Sequence, residues 1–170
     1  MKVDQAKLGV GTICYLHSND SYLLGEKKYG GAQGKVNGFG GKIETTDQSI
    51  YDAVKREFRE ETSIQLNAPK YCGIIEIFKN ETRKAIFYLF KADDFIGQPQ
   101  ESEEMKVYWV KNTEVPFEKM WASDALWLPL FLKNDNIHVK LYFQEGNDKA
   151  DRMEVTFNAT LDETYHENFI

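Results

Sequence analysis

The chain has 170 residues, of which 42% are hydrophobic and 28% charged, so it can bury one sizeable core but is short for two. We therefore predict a single domain over residues 1–170. The net charge of −6 argues against stable nucleic-acid binding, because such binding needs clustered Lys and Arg. No stretch approaches the roughly 18 uncharged apolar residues of a membrane span, and residues 1–5 carry no apolar leader, which predicts a cytoplasmic protein without membrane association.

The N-terminal quarter combines a hairpin pattern with a glycine-rich stretch. Residues 8–16 are rich in apolar and β-branched side chains, and with residues 22–24 they predict a β-hairpin. Residues 25–41 hold seven of the twelve glycines. This density predicts a loop that faces a ligand, because glycine permits backbone conformations and close approaches that a Cβ would block.

The rest of the chain alternates between strand and helix patterns. The strand-like segments are residues 71–78, 84–91, 105–111, 137–144 and 152–158. A helical period predicts helices at 49–62, with Asp47 or Ser49 as the N-cap, and from 123 to beyond 132. Strands interleaved with helices predict an α/β domain whose mixed sheet is covered by helices. The acidic residues 161–170 predict a loose tail.

The first predicted helix carries carboxylates where its apolar stripe should continue. The stripe that begins at Ile50 and Val54 runs onto Glu57 and Glu61, with Glu60 on an adjoining edge. Burying such charges is unfavourable unless something compensates, and a divalent cation compensates well. Mg²⁺ prefers hard oxygen ligands and commonly bridges carboxylates to phosphates, so this helical face suits it.

A solvated acidic surface is the simpler interpretation of the same glutamates. Lys55, Arg56 and Arg59 are available as local salt-bridge partners, and such surface pairs are common on helices. The glycine-rich segment 37–42, a few residues before the helix, favours the metal interpretation because its backbone can approach phosphate and metal closely. Together the two elements predict a metal and phosphate site.

Two segments resemble the signature of a known family. Residues 40–42 (Gly-Gly-Lys), followed by residues 56–64, resemble the Nudix box. From about residue 8 to about residue 157 the chain is also similar to the MutT-homologue branch, which hydrolyses oxidised purine nucleoside triphosphates. This similarity includes residues 37–42, 101–105 and 116–130. The resemblance implies a Nudix fold, an α/β/α sandwich with a central mixed β-sheet, and attack by water on a phosphorus to give a nucleoside monophosphate and pyrophosphate.

The resemblance also implies roles at the metal site. The residues that would hold Mg²⁺, with Mn²⁺ as the alternative, are Glu57, Glu60, Glu61, Glu104 and Gly41. Arg56 would orient a carboxylate. We favour Glu61 as the general base that takes a proton from water, over Glu60 or Glu104. On the sequence alone, a charged loop residue is an equally good interpretation of Glu104.

The resemblance further implies a pocket for the purine base. Asn37 and Asp124 match positions that hydrogen-bond the purine edge, and Trp121 matches one that stacks on its face. The other implied substrate-binding positions are Thr12, Lys28, Phe78 and Met105. Without the resemblance, Trp121 would read as core, Asn37 as a turn residue and Asp124 as a first-turn helix residue.

The box of this chain departs from the family pattern at its two ends. Ser63 stands where a glycine is usual, which predicts a left-handed helix cap. The spacing from Gly41 to Arg56 is one residue longer than usual. The earlier glutamate of the box therefore falls on Gln48 or Asp47, and we do not assign it to the metal.

The base pocket departs more than the box does. A second aspartate of the family is Ser123 here, and aromatic or methionine positions become Gly31, Glu76 and Ala85. The preferred base is therefore open: another modified purine triphosphate, or an ordinary one, would also fit this pattern.

We predict a Mg²⁺-dependent enzyme that acts as a monomer on a purine nucleoside triphosphate of the 8-oxo-dGTP or 2-hydroxy-dATP type and sanitises the nucleotide pool. One alternative is a pyrophosphohydrolase of other nucleoside diphosphate derivatives. A second is a non-catalytic nucleotide-binding module, against which the intact glutamates argue. A third is a structural or interaction protein with an acidic surface helix.

Overall fold

The computed structural model describes residues 7–169, which form ten strands and two α-helices. The strands are β1 (Gly9–Ser18), β2 (Ser21–Lys27), β3 (Val36–Asn37), β4 (Gln65–Leu66), β5 (Lys70–Lys79), β6 (Thr82–Ala92), β7 (Phe95–Ile96), β8 (Met105–Lys111), β9 (Ile137–Phe143) and β10 (Arg152–Thr156). The helices are α1 (Ile50–Thr62) and α2 (Asp124–Lys133). Residues 1–6, where we expect no leader, and Ile170, the end of the predicted tail, lie outside the described residues.

Eight of the strands form one mixed sheet. Its order is β10-β9-β5-β6-β1-β2-β3, and β8 also pairs with β2. The β1–β6 and β5–β9 pairs are parallel, whereas the other pairs are antiparallel. Strands β4 and β7 form a separate ribbon. Every strand predicted from the sequence is present, and the mixed sheet is confirmed.

The two helices cover opposite faces of this sheet. On the α1 face, Val54 and Phe58 belong to a buried cluster with side chains of β1, β5 and β6. On the α2 face, Trp127 and Phe131 belong to a second cluster that includes Tyr15 of β1. The predicted α/β/α sandwich is therefore confirmed. No helix in the described range 7–169 is long and apolar enough to cross a membrane.

Helix α1 begins and ends at serines. The Ser49 hydroxyl accepts a hydrogen bond from the Asp52 backbone N–H at 3.2 Å, so Ser49 is the N-cap. At the other end Ser63 has φ 67°, and its N–H donates to the Arg59 carbonyl at 2.8 Å. Ser63 thus takes the predicted left-handed cap in place of glycine.

The glycine-rich stretch is only partly a loop. Strand β2 continues to Lys27, so Gly25 lies inside a strand. A Cβ on Gly25 would stand 2.6 Å from the Phe39 ring. The absence of a side chain at Gly25 therefore permits tight packing against Phe39 within the sheet, whereas the sequence pattern predicted a ligand-facing loop from this residue onward.

The C-terminal segment departs from the predicted loose tail. The Tyr165 hydroxyl donates to the Glu76 carboxylate at 3.3 Å, and the His166 backbone N–H donates to the Tyr88 hydroxyl at 3.1 Å. Glu76 itself is fully buried and pairs with Arg83 and with His138 at 2.6 Å each. These hydrogen bonds hold the tail on the α1 face, where it covers the polar groups around Glu76.

Candidate active site

The segment from Asn37 to Gly41 is fixed against strand β1. The Thr12 N–H donates to the Gly41 carbonyl at 2.9 Å, and Cys14 and Phe39 exchange backbone hydrogen bonds of 2.7 and 3.0 Å. A Cβ on Gly40 would collide with the Thr12 carbonyl oxygen. Glycine is thus required there for the backbone to dock, as the sequence predicted for this segment.

Helix α1 places Glu57 directly against this segment. A Cβ on Gly41 would stand 2.5 Å from the Glu57 carboxyl carbon, so only a glycine leaves room for the carboxylate. The Glu57 side chain is 15% exposed and accepts a hydrogen bond from Arg56 at 2.8 Å. Gly41 and Glu57, two of the predicted metal-site residues, are therefore adjacent.

Arg56 organises the start of the helix. Its guanidinium donates to both oxygens of Asp47, at 2.9 and 2.8 Å, to Glu57 and to the Lys42 carbonyl at 3.0 Å. The hydrogen bonds to Asp47 and Glu57 raise the pKa of Arg56 above its ordinary value, and the Arg56 partner lowers the pKa of Asp47. Arg56 thus holds the Glu57 carboxylate in place, and its anchor is Asp47, one of the two residues on which the earlier glutamate of the box could fall.

Glu61 is a buried carboxylate with incomplete hydrogen bonding. It is 9% exposed, and its Oε1 accepts from the Gly40 N–H at 3.2 Å. Burial raises its pKa to about 7, with the Lys27 charge opposing the rise and the Glu57 charge adding to it. Its Oε2 is buried and has no hydrogen-bond partner within residues 7–169. A hard cation would satisfy that oxygen.

The other predicted metal residues lie farther out. The Glu60 side chain is 59% exposed and contacts Arg56 at 3.4 Å. Glu104 is exposed on the segment before β8. Over residues 7–169 no three His, Cys, Asp or Glu side chains form a ready-made metal cluster. Glu57 and Glu61 alone flank the glycine segment, a pair that fits Mg²⁺, which commonly takes one or two protein carboxylates with water and substrate phosphate.

A cleft of about 400 Å³ opens beside the glycine segment on the α2 face of the sheet. It is lined by six of the predicted residues, namely Thr12, Asn37, Gly41, Met105, Trp121 and Asp124. Its apolar floor comes from residues that sequence reasoning did not single out, namely Ile13, Ile75, Ile77, Phe87, Leu141 and Phe143. Most of these follow the two-residue alternation of β5, β6 and β9, which is the signal that could have identified them.

Polar groups in the cleft are few and fixed. Asp124 accepts from the Trp127 indole N–H at 3.0 Å and from the Trp121 backbone N–H at 3.1 Å. Burial raises the pKa of Asp124 to about 6, although both hydrogen bonds oppose the rise. The Thr12 hydroxyl lies fully buried at the cleft with no partner among the described residues. The Trp121 ring is 45% exposed, with Lys35 Nζ 5.1 Å from its centroid.

Two residues that were predicted to bind substrate do not line the cleft. Phe78 lies on the α1 side, where it stacks on Tyr142 at 4.7 Å, because a register shift between Ile77 and Phe78 and strand alternation put Ile77 at the cleft instead. Lys28 donates to the Ser102 carbonyl at 2.6 Å, whereas the preceding Lys27 lines the cleft.

The structure also explains two of the departures from the family's base pocket. Glu76 is on the α1 face under the tail, so its charge does not reach the cleft. Ser123 does line the cleft, and its hydroxyl accepts from the Ala150 N–H at 2.9 Å. That bond ties the turn between β9 and β10 to the start of α2.

Several known proteins are similar to this chain in sequence or in fold. The family model described as NUDIX domain matches residues 7–131. A zebrafish (Danio rerio) protein named oxidized purine nucleoside triphosphate hydrolase is 40% identical over 127 residues, which cover 74% of this chain and 80% of that protein. A mouse (Mus musculus) protein of the same name is 36% identical over 124 residues, covering 72% and 79%.

A solved structure agrees with the fold. The MutT protein of Bacillus halodurans superposes with a TM-score of 0.73 at 25% identity, covering 86% of this chain and 97% of that one. Hydrolases of this group generally use a divalent metal ion, as the carboxylate pair on α1 would allow. Because the family model spans most of the chain and the curated relatives exceed 30% identity, the chain belongs to the NUDIX family of hydrolases.

Proposed function

We propose that this enzyme hydrolyses oxidised purine nucleoside triphosphates to nucleoside monophosphates and pyrophosphate, and so removes them from the nucleotide pool. The observation that carries the proposal is the unpartnered, buried Oε2 of Glu61, whose other oxygen accepts from Gly40, a residue that also lines the apolar cleft. Relatives with the same fold carry that activity in their names. A net charge of −6 suits a free nucleotide better than a nucleic acid.

At the phosphate end, Glu57 and Glu61 would hold Mg²⁺, or Mn²⁺ in its place, with Glu60 and Glu104 as outer candidates. Such an ion, when bound, neutralises phosphate charge and lowers the pKa of water. Arg56 fixes Glu57, and glycine at position 41 leaves room for the Glu57 carboxylate beside the glycine segment. Glu61 is also the proposed general base for the attacking water, because its buried carboxylate lies beside the glycine segment next to Glu57.

At the base end, the cleft is mostly apolar and offers few polar groups to the purine. Asn37 and Asp124 would bind the purine edge, and Trp121 would stack on its face. Lys27 and Lys35 also line the cleft, so both lie within reach of a triphosphate.

The direct test is a pyrophosphate-release panel. It compares 8-oxo-dGTP, 2-hydroxy-dATP and the four ordinary nucleotides, with and without Mg²⁺. A parallel assay measures AMP formation from ADP-ribose, which represents other nucleoside diphosphate derivatives and releases no pyrophosphate when it is cleaved. We expect Mg²⁺-dependent release that is fastest with an oxidised purine. Turnover of ADP-ribose alone would replace the proposed substrate, and no turnover of any compound would end the proposal.

Asp124→Asn is expected to lower kcat/KM for oxidised purines by about 10- to 100-fold, because an amide N–H₂ replaces an acceptor oxygen in a buried site. The Mg²⁺ concentration for half-maximal rate should stay the same, since Asp124 acts at the base end. Steady-state kinetics with Asp93→Asn, an exposed aspartate, as the control would check this. Equal losses for every nucleotide and a shifted Mg²⁺ dependence would mark Asp124 as structural.

A further inference from the structure

Tyr15 reaches the base end of the cleft from inside the core. It lies on β1, is 1% exposed, and its ring packs 5.9 Å from that of Phe131. Its hydroxyl donates to Asn37 Oδ1 at 2.6 Å, a contact between residues far apart in the sequence. Because the buried hydroxyl donates its only hydrogen bond to the amide of a cleft residue, it restricts the orientation of that amide.

The orientation of the Asn37 amide is settled by a second contact. The Gly38 backbone N–H lies 2.8 Å from Asn37 Oδ1. Because a backbone N–H can only donate, the atom facing it must be the amide oxygen. Tyr15 therefore donates to the same oxygen, and Nδ2 is left as the group available to a ligand. Nδ2 has no acceptor within residues 7–169.

Tyr15 keeps its proton throughout the working pH range. Burial, followed by the nearby Asp124 charge, raises the pKa of its hydroxyl well above the ordinary value. The hydroxyl is thus a permanent donor to Asn37. With Nδ2 as a donor and Asp124 as an acceptor, the cleft offers a fixed pattern to a purine edge.

We infer that Tyr15 is a positioning residue that makes this enzyme select 6-oxopurines over 6-aminopurines. This inference rests on the proposed function. A 6-oxo group accepts from Asn37 Nδ2, whereas a 6-amino group would set one donor against another in a desolvated site. Asp124 supplies the complementary acceptor for N–H groups of the base. Such a mismatch in a buried polar site lowers binding by about 10- to 100-fold.

The role of Tyr15 follows from what its removal leaves. In Tyr15→Phe, Asn37 Oδ1 loses one of its two donors and keeps only the Gly38 backbone N–H, so the amide is held less firmly with Nδ2 toward the ligand. Discrimination at C6 should then fall while the phosphate end is untouched. Asn37→Asp, which presents acceptors in place of the donor, should move the preference toward the 6-amino base.

The test uses 8-oxo-dGTP and 8-oxo-2-amino-dATP, which differ only at C6 and N1. Wild type should favour the 6-oxo compound by at least about 10-fold in kcat/KM, mainly through KM. Tyr15→Phe should reduce that ratio by about fivefold or more, with kcat for 8-oxo-dGTP within about threefold of wild type. Tyr88→Phe is the matched control, because Tyr88 is equally buried but its hydroxyl meets His166 on the α1 face.

Calorimetric Kd values for the two corresponding monophosphates give the same comparison without turnover. If wild type releases no pyrophosphate from either triphosphate, the proposed function fails, and the Kd ratio still decides the role of Tyr15. An unchanged ratio in Tyr15→Phe, or no preference in wild type, would overturn the inference. Thermal unfolding of each variant separates loss of selectivity from loss of fold.

Discussion

Glu57→Gln is expected to lower kcat for pyrophosphate release by about a thousandfold or more, because it removes a charged ligand where phosphate charge must be neutralised. The fold should survive, since glutamine keeps the size of the side chain and an oxygen for the Arg56 hydrogen bond at 2.8 Å. Steady-state release rates over a Mg²⁺ titration, together with thermal unfolding, measure both effects.

Glu118→Gln is the matched control for this change. Glu118 is exposed on the short turn before α2, and the same neutral substitution there should leave kcat within about twofold of wild type, as for most surface changes. If Glu57→Gln kept a tenth of the wild-type rate with the same Mg²⁺ dependence, Glu57 would not hold the metal.

Glu61→Gln is expected to abolish hydrolysis and at the same time stabilise the metal-free protein at alkaline pH. Burial raises the pKa of Glu61 from 4.5 to about 7, so its ionised form opposes folding. This penalty is absent below pH 4.5, grows between pH 4.5 and 7, and is complete above pH 7. At pH 8 the variant should gain about 3 kcal/mol, because each tenfold change in proton affinity corresponds to about 1.4 kcal/mol.

Urea unfolding in EDTA at pH 5 and pH 8 measures this effect. The gain of the variant over wild type should shrink to about 1 kcal/mol at pH 5 and be largest at pH 8. Added Mg²⁺ should stabilise wild type more than the variant, since Glu61→Gln removes one of the two proposed carboxylate ligands and weakens Mg²⁺ binding. A variant that is less stable than wild type at pH 8 would show that Glu61 has a structural role.

Local patterns were enough to predict the helix that carries the site. The stripe through Val54, Glu57 and Glu61 follows from the helical period, and Ser49 was one of two N-cap candidates. The left-handed cap at Ser63 was predicted from the resemblance to the family, in which a glycine is usual there. These features depend on contacts within a few residues. They can therefore be predicted without knowledge of the distant contacts of the chain.

Residues that depend on strand register could not be predicted in the same way. Successive strand residues point to opposite faces, so an error of one position exchanges Ile77 for Phe78 at the cleft. The same error exchanges Lys27 for Lys28. Bulges and strand ends are set by pairing with distant segments, and no local pattern contains that information.

The tail was missed for a related reason. Its acidic composition is typical of a solvated end, yet Tyr165 and His166 find partners on β5 and β6. Those contacts join residues about half the chain apart. The tail also covers the buried Glu76 and its partners Arg83 and His138, and the sequence alone does not show that these three residues meet.

The docked segment from Asn37 to Gly41 links the base end of the cleft to the phosphate end through one short piece of backbone. The five residues of this segment span at most about 14 Å between their end Cα atoms, and hydrogen bonds to β1 hold the segment in place. In the proposed reaction an intact triphosphate would bind at both ends at once, whereas each product would bind at only one end. Both products would therefore bind more weakly than the substrate and dissociate.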